Sequence, residues 1–120
     1  MEKVNLASVF ASFSEHWRPK IVGEVNGTHI KVVKLLGEFD WHHHNTEDEL
    51  FLVTKGTLRM RLRGREILLR QGEFLIVPHG TEHQPAADEE CEVVLVEPAT
   101  TLNTGNLMNE RTVTELERLA

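Results

Sequence analysis

Apolar residues in this chain recur in two rhythms, and the first is helical. Leu6, Val9, Phe10 and Phe13 fall at i, i+3, i+4 and i+7 behind Asn5, a good cap, so a short amphipathic helix is expected in an N-terminal arm over residues 1–17. From Arg18 the rhythm changes to short apolar runs between turn signals. The runs at 21–25 and 29–36 flank Asn26-Gly27, whose two residues tolerate positive φ, and this is the strongest short signal for a β-hairpin. Leu58, Met60 and Leu62 alternate with Arg59, Arg61 and Arg63, which predicts a strand with one buried face and an arginine-lined solvated face. Runs at 66–70, 74–77 and 93–96 predict three more strands, broken at Gly56, Gly64, Gly72 and Gly80. The expected fold class is therefore all-β, a sandwich or barrel. Residues 98–109 read as loop, and Thr112-x-x-Glu115 followed by Leu116 and Leu119 predicts a short C-terminal helix in a tail over 98–120.

Composition narrows the class. A length of 120 residues suggests one domain over 1–120. Thirteen Lys plus Arg against nineteen Asp plus Glu give a net charge of −6 with the basic residues scattered, so nucleic acid is a poor candidate partner. No apolar run approaches the roughly 20 residues of a bilayer span, and no basic and apolar leader opens the chain, so no membrane association is expected. The single Cys91 excludes an internal disulfide and fits a cytoplasmic setting.

Chemistry enters at Trp41-His42-His43-His44, followed by the acidic stretch Glu47-Asp48-Glu49. If 39–44 is a strand, His42 and His44 share a face and His43 points away, so two imidazoles can meet one metal. After a polar loop at 45–48, Glu49, Phe51 and Val53 share a face of the next strand, and Glu49 can join the pair. His83 is the fourth candidate, and it completes the site only if a closed barrel brings distant strands together. Three imidazoles and a carboxylate suit Fe, Mn, Ni, Co, Cu or Zn as divalent ions and are too rich in nitrogen for Ca or Mg. Four protein ligands would leave two positions of a six-coordinate ion for water or substrate.

The duller readings are specific. His43 has the wrong parity and reads as an exterior histidine, His79 sits in a Pro-His-Gly turn and reads as exposed, and His16 and His29 have no constellation around them. Trp41 and Phe39 read first as core packing. Glu49 could instead pair with a nearby arginine, and a site of this shape could have lost its metal.

Two motifs occur in order: Gly37-x4-His42-x-His44-x4-Glu49-x6-Gly56 and Gly72-x5-Pro78-x-Gly80-x2-His83. In them the chain resembles the small single-domain cupins of the RmlC-like superfamily, of the compact bacterial kind without assigned activity. It departs from the family pattern in having four residues between Gly37 and His42, where five are usual, and Ala87 at the position of a usual asparagine. Neither position belongs to the ligand set. The resemblance implies an antiparallel jelly-roll β-barrel of six to eight strands, with a metal held inside by His42, His44, Glu49 and His83.

With Phe51, Val53, Leu58, Met60 and Leu62 turned inward, the site would sit at the base of a small apolar cavity that takes a small-molecule ligand. Dioxygenase chemistry needs open metal positions and no further strong base, which the sequence satisfies. Isomerisation or epimerisation needs an added acid or base, for which only His79, Glu38 and Lys34 are candidates. A non-catalytic module for a small ligand or metal is the alternative. Edge strands, the 21–36 hairpin and the N-terminal helix have apolar faces to spare, so a homodimer is expected.

Overall fold

The computed structural model describes residues 1–119, and Ala120, the last residue of the expected tail, lies outside them. Helix α1 (Leu6–Phe10) is capped as the sequence predicts, with the Asn5 side chain accepting from the Ser8 N–H at 3.0 Å. Seven strands follow: β1 (Lys20–Val25), β2 (Thr28–Glu38), β3 (Glu49–Lys55), β4 (Thr57–Leu62), β5 (Arg65–Arg70), β6 (Phe74–Val77) and β7 (His83–Pro98). Asn26 and Gly27 both take positive φ, 48° and 77°, and close the β1–β2 hairpin with Val25 opposite Thr28.

All strand pairings are antiparallel, and the order β1-β2-β7-β3-β6 forms one layer. The chain folds over on itself through β7. Its first residues, His83 to Ala86, pair with β4, which in turn pairs with β5; its later residues lie between β2 and β3. The sequence signals only the 93–96 part of this strand, because Pro85 and the acidic run from Asp88 to Glu92 break its apolar pattern. The architecture is the jelly roll expected, with one correction: among the described strands the ladder does not close into a barrel.

Between the layers sit Val33, Leu35, Phe51, Val53, Leu58, Met60, Leu69, Val77, Cys91, Val93 and Leu95. Val33 and Val53 flank Val93 in one rung, and Phe51 lies opposite Leu95 in the next, so β-branched and aromatic side chains stack across neighbouring strands. Leu62 is only partly buried against this core. The outer face of the large layer is covered by α1, where Phe10 packs with Val22, Val32 and Val94. The helix therefore spends its apolar face inside the molecule. Apolar side chains left exposed on described strands are Val25 of β1, Leu36 of β2, Leu68 of β5 and, together on the edge strand β6, Phe74 and Ile76.

The C-terminal helix does not form. Residues 111–119 pass through a turn and a bend, and 117–119 pair with β1 through a single bridge at Arg118, with the Ile21 N–H donating to the Glu117 carbonyl at 2.9 Å and the Leu119 N–H to the Ile21 carbonyl at 2.8 Å. Pairing of the backbone with an open sheet edge outweighs a capping signal backed by few residues. The Thr112 hydroxyl, expected to cap that helix, instead bonds Thr104 and accepts from the Asn109 N–H.

Gly56 joins β3 to β4 with φ of 87°, and a Cβ there would lie 3.0 Å from the Cys91 Cβ and 3.1 Å from the Glu90 carbonyl oxygen. Gly72 has nearly the same φ, 85°, and open space around it. Gly72→Ala should therefore cost about 1–2 kcal/mol for its backbone conformation alone. Gly56→Ala should cost at least about 1 kcal/mol more, since the β-carbon also meets backbone. Urea unfolding of both variants checks the difference, and equal losses would contradict the close approach.

Candidate metal centre

Segment 39–44 is extended without being a full strand; it carries a single bridge at His42. There the His42 N–H donates to the His83 carbonyl at 3.0 Å, and the His83 N–H returns to the His42 carbonyl at 2.9 Å. Two residues exchanging both bonds lie directly opposite, so their side chains leave the same face. This bridge supplies what barrel closure was expected to supply. The two rings have centroids 4.4 Å apart.

The alternation expected of the triple histidine holds without the strand. His42 and His44 are buried, whereas His43 turns outward and its Nε2 lies 3.0 Å from Asn45 Oδ1. Glu49 opens β3 and is buried with Phe51 and Val53, as the period of two requires. The structure thus brings together His42, His44, Glu49 and His83, whose donor atoms all lie within 4.8 Å of one another. Ligands at ~2.1 Å from a common ion stand about 3–4.2 Å apart, so small adjustments suffice.

Hydrogen bonding prepares the rings. His42 Nδ1 lies 2.8 Å from the Asp40 carbonyl and His83 Nδ1 2.9 Å from the Thr81 carbonyl, so each Nδ1–H donates to the carbonyl two residues back and Nε2 keeps its lone pair. His44 Nε2 lies 2.9 Å and His83 Nε2 3.3 Å from Glu49 Oε1. Neither contact has hydrogen-bond geometry, and all three atoms remain buried without a hydrogen-bond partner. Buried polar atoms without partners are costly, and three of them gathered with their lone pairs together are what a metal ion would satisfy. The residues present fit such an ion.

Burial pushes the His42 imidazolium pKa down to about 4, with the neighbouring His83 adding repulsion, so the ring is neutral and ready to ligate at neutral pH. Burial opposes ionisation of Glu49, but its contacts with Glu97, His44 and His83 outweigh burial and hold its carboxyl well below the usual range.

Glu97 is a further residue of the site, with no motif in the sequence to mark it. It ends the inward run of β7, buried, with its Oε1 2.7 Å from the buried Lys31 Nζ. Burial and the charge of Glu49 push its carboxyl well above the usual range despite Lys31. A single glutamate between the apolar run 93–96 and Pro98 reads as the solvated end of a strand, and only the β2–β7 and β3–β7 registers show that it faces inward. Glu49 and Glu97 share a cavity of about 40 Å³ with His42 and an apolar wall that includes Trp17, Phe39, Phe51 and Leu95. At about 10–15 Å³ for an enclosed water, that is room for roughly three.

The other candidates lie elsewhere. His79 is exposed with Asp48 Oδ1 2.9 Å from its Nδ1, Glu38 is exposed beside Arg61 and Gln84, and Lys34 donates to the Phe13 carbonyl at 2.7 Å. None of the three lines the cavity. Phe39 does line it, stacked on Trp17 at 4.9 Å, while Trp41 lies outside it under Arg63 at 3.8 Å.

Because the folded state keeps His42 neutral, the unfolded chain binds more protons between pH 6.5 and about 4, and stability must fall as pH drops through that window. His42 contributes a slope of up to about 1.4 kcal/mol per pH unit in metal-free protein. Urea unfolding at stepped pH with a chelator present should show this loss, and His42→Gln should flatten it. An equally steep curve in the variant would contradict the assignment.

Comparison with known proteins agrees with this geometry. Residues 32–97 match the family described as cupin domain. A cupin-2 domain containing protein from Shewanella frigidimarina is 42% identical, with 79% of this chain covering 93% of that one at a TM-score of 0.78. A Neisseria meningitidis protein is 32% identical, with 81% covering 99% at 0.75. An acireductone dioxygenase from Bacillus licheniformis is 28% identical over 79% of this chain, which spans only 59% of that protein. With most of its length and its two histidine-bearing segments inside these matches, the chain belongs to the cupin-domain family.

Proposed function

We propose that the chain is a metal-dependent enzyme acting on a small organic molecule bound through oxygen atoms, in the manner of a dioxygenase. The carrying observation is the set of buried donors without hydrogen-bond partners, His44 Nε2, His83 Nε2 and Glu49 Oε1, beside His42 at the wall of an apolar cavity. These four residues would hold a divalent transition metal, which when bound supplies Lewis-acid or oxygen-activating chemistry. The chain's own groups do the rest. Trp17, Phe39 and Phe51 exclude water, the small volume restricts substrate size, and Glu97, beside Glu49, offers a hydrogen bond in the cavity. The dioxygenase relative from Bacillus licheniformis supports the oxygenase form of this reading.

One observation favours a second reading, proton transfer as in an isomerase. Glu97 is a buried carboxyl in the cavity whose hold on a proton is strengthened by burial and by Glu49, in a position that His79, Glu38 and Lys34 do not reach from where they lie.

The test begins with untagged protein and a His42→Ala/His83→Ala double variant. Near-stoichiometric transition metal, by mass spectrometry of the elements, is expected in the first and not in the second. Fe(II)-loaded protein should then consume oxygen in step with a small vicinal diol, enediol or hydroxy acid. Solvent deuterium entering the substrate without oxygen uptake, and lost in Glu97→Gln, would select proton transfer. Binding without either would leave a ligand-binding module, and absence of metal after anaerobic reconstitution would overturn the proposal.

We also propose that two copies pair through β6, supported by its edge position and by Phe74 and Ile76, 60% and 52% exposed. Light scattering should give twice the chain mass, and half that value for Phe74→Glu/Ile76→Glu. A monomeric wild type would refute pairing.

A further inference from the structure

The tail after β7 was expected to be a loop and a helix, and it is neither a free loop nor a helix. Residues 101–113 form a strap that lies against segment 38–43, and they fall outside the stretch, 32–97, that matches the cupin-domain family. The strap braces itself. Asn103 donates to the Arg111 carbonyl at 2.8 Å and accepts from the Val113 N–H at 2.9 Å, and the fully buried Thr104 hydroxyl meets that of Thr112 at 2.7 Å. It is anchored past its far end by the pairing of residues 117–119 with Ile21.

Its contacts fall on the metal-site segment. Asn106 grips His43 reciprocally: the His43 N–H donates to Asn106 Oδ1 at 2.9 Å, and the Asn106 N–H donates to the His43 carbonyl at 2.9 Å. Asn109 Nδ2 donates to the Asp40 carboxylate at 2.9 Å, and Arg111 donates to the Glu38 carbonyl at 2.9 Å with its guanidinium 5.4 Å from the Phe39 ring centre. Gly105 packs so closely that a Cβ would stand 2.2 Å from the His43 carbonyl oxygen and 3.0 Å from His42 Cδ2.

This matters because segment 39–44 has only the His42 bridge in place of a full ladder. Beyond that bridge, the Phe39 N–H donates to the Pro85 carbonyl at 3.0 Å at one end and the His44 carbonyl accepts from the Gly80 N–H at 2.7 Å at the other, and the backbone of His43 between them is bonded to the strap. Asp40, gripped by Asn109, is also the residue whose carbonyl fixes His42 Nδ1.

We propose that Gly105, Asn106 and Asn109 are positioning residues for the metal site: the strap holds segment 38–43 so that His42 and His44 present their ring nitrogens together. This rests on the metal-binding reading above. The strap lies on the tail, beyond the stretch 32–97 that matches the family, so the preorganisation of the site draws on residues outside that stretch.

The probe is Zn(II), titrated against a chromophoric chelator, into wild type, Asn106→Ala, Asn106→Asp, Asn109→Ala and Gly105→Ala. Asn106→Asp keeps the acceptor for His43 N–H. Affinity should weaken about tenfold or more in Asn106→Ala and Asn109→Ala, the range seen when groups behind metal ligands are removed, and stay within about threefold in Asn106→Asp. Gly105→Ala should be the most damaging, but if it fails to fold the asparagine variants decide. Folded Asn106→Ala and Asn109→Ala proteins that bind Zn(II) like wild type would overturn the proposal.

A second readout needs no metal. Long-range ¹H–¹⁵N spectra of the His42 ring should report one Nδ1–H tautomer in wild type and a mixture in Asn109→Ala, and an unchanged ring would overturn the proposal. Should wild type take up no zinc, the metal reading falls, while the ring spectra still test the positioning.

Discussion

Two backbone hydrogen bonds, exchanged between His42 and His83, are the constraint on which the site depends. They join a chain leaving β2 to the first residue of β7 and make two imidazoles leave one face. Because β7 then bends across the molecule to lie between β2 and β3, the same bridge places Glu49 opposite the rings from the next strand. The open ladder costs the site nothing. What the arrangement needs is a local pair fixed by backbone geometry, with the hydrophobic rungs of Val33, Val53 and Val93 setting the register behind it.

The electrostatics follow from burial. Three histidines and two glutamates gather in a space from which water is nearly excluded, and the interior answers by keeping His42 neutral, by moving the Glu49 and Glu97 carboxyls in opposite directions, and by pairing Glu97 with Lys31. Lone pairs are thereby left pointing at one place with nothing to receive them, which is the condition of a site that acquires a cation.

The jelly roll and the four converging side chains were legible because each rests on local sequence chemistry. Periodicity of two placed Glu49 with Phe51 and Val53, Asn26-Gly27 marked the first hairpin, and the His-x-His spacing survived even though its segment is not a strand. What stayed hidden depends on tertiary pairing. Glu97 and Lys31 look like surface charges until two strand registers bring them inward, and the capping-box spacing at Thr112 lost to a sheet edge the sequence could not show as open. The strap was read as loop because its asparagines and glycine are loop residues. Their partners lie some sixty positions earlier in the chain, at Asp40 and His43.

The measurement that tests the central claim most directly is anomalous diffraction from a crystal of the Zn(II)- or Mn(II)-loaded protein, collected on both sides of the metal absorption edge. The account predicts one strong peak per chain, bonded to nitrogens of His42, His44 and His83 and an oxygen of Glu49. A peak at surface carboxylates, or one that leaves His83 uncoordinated, would contradict it.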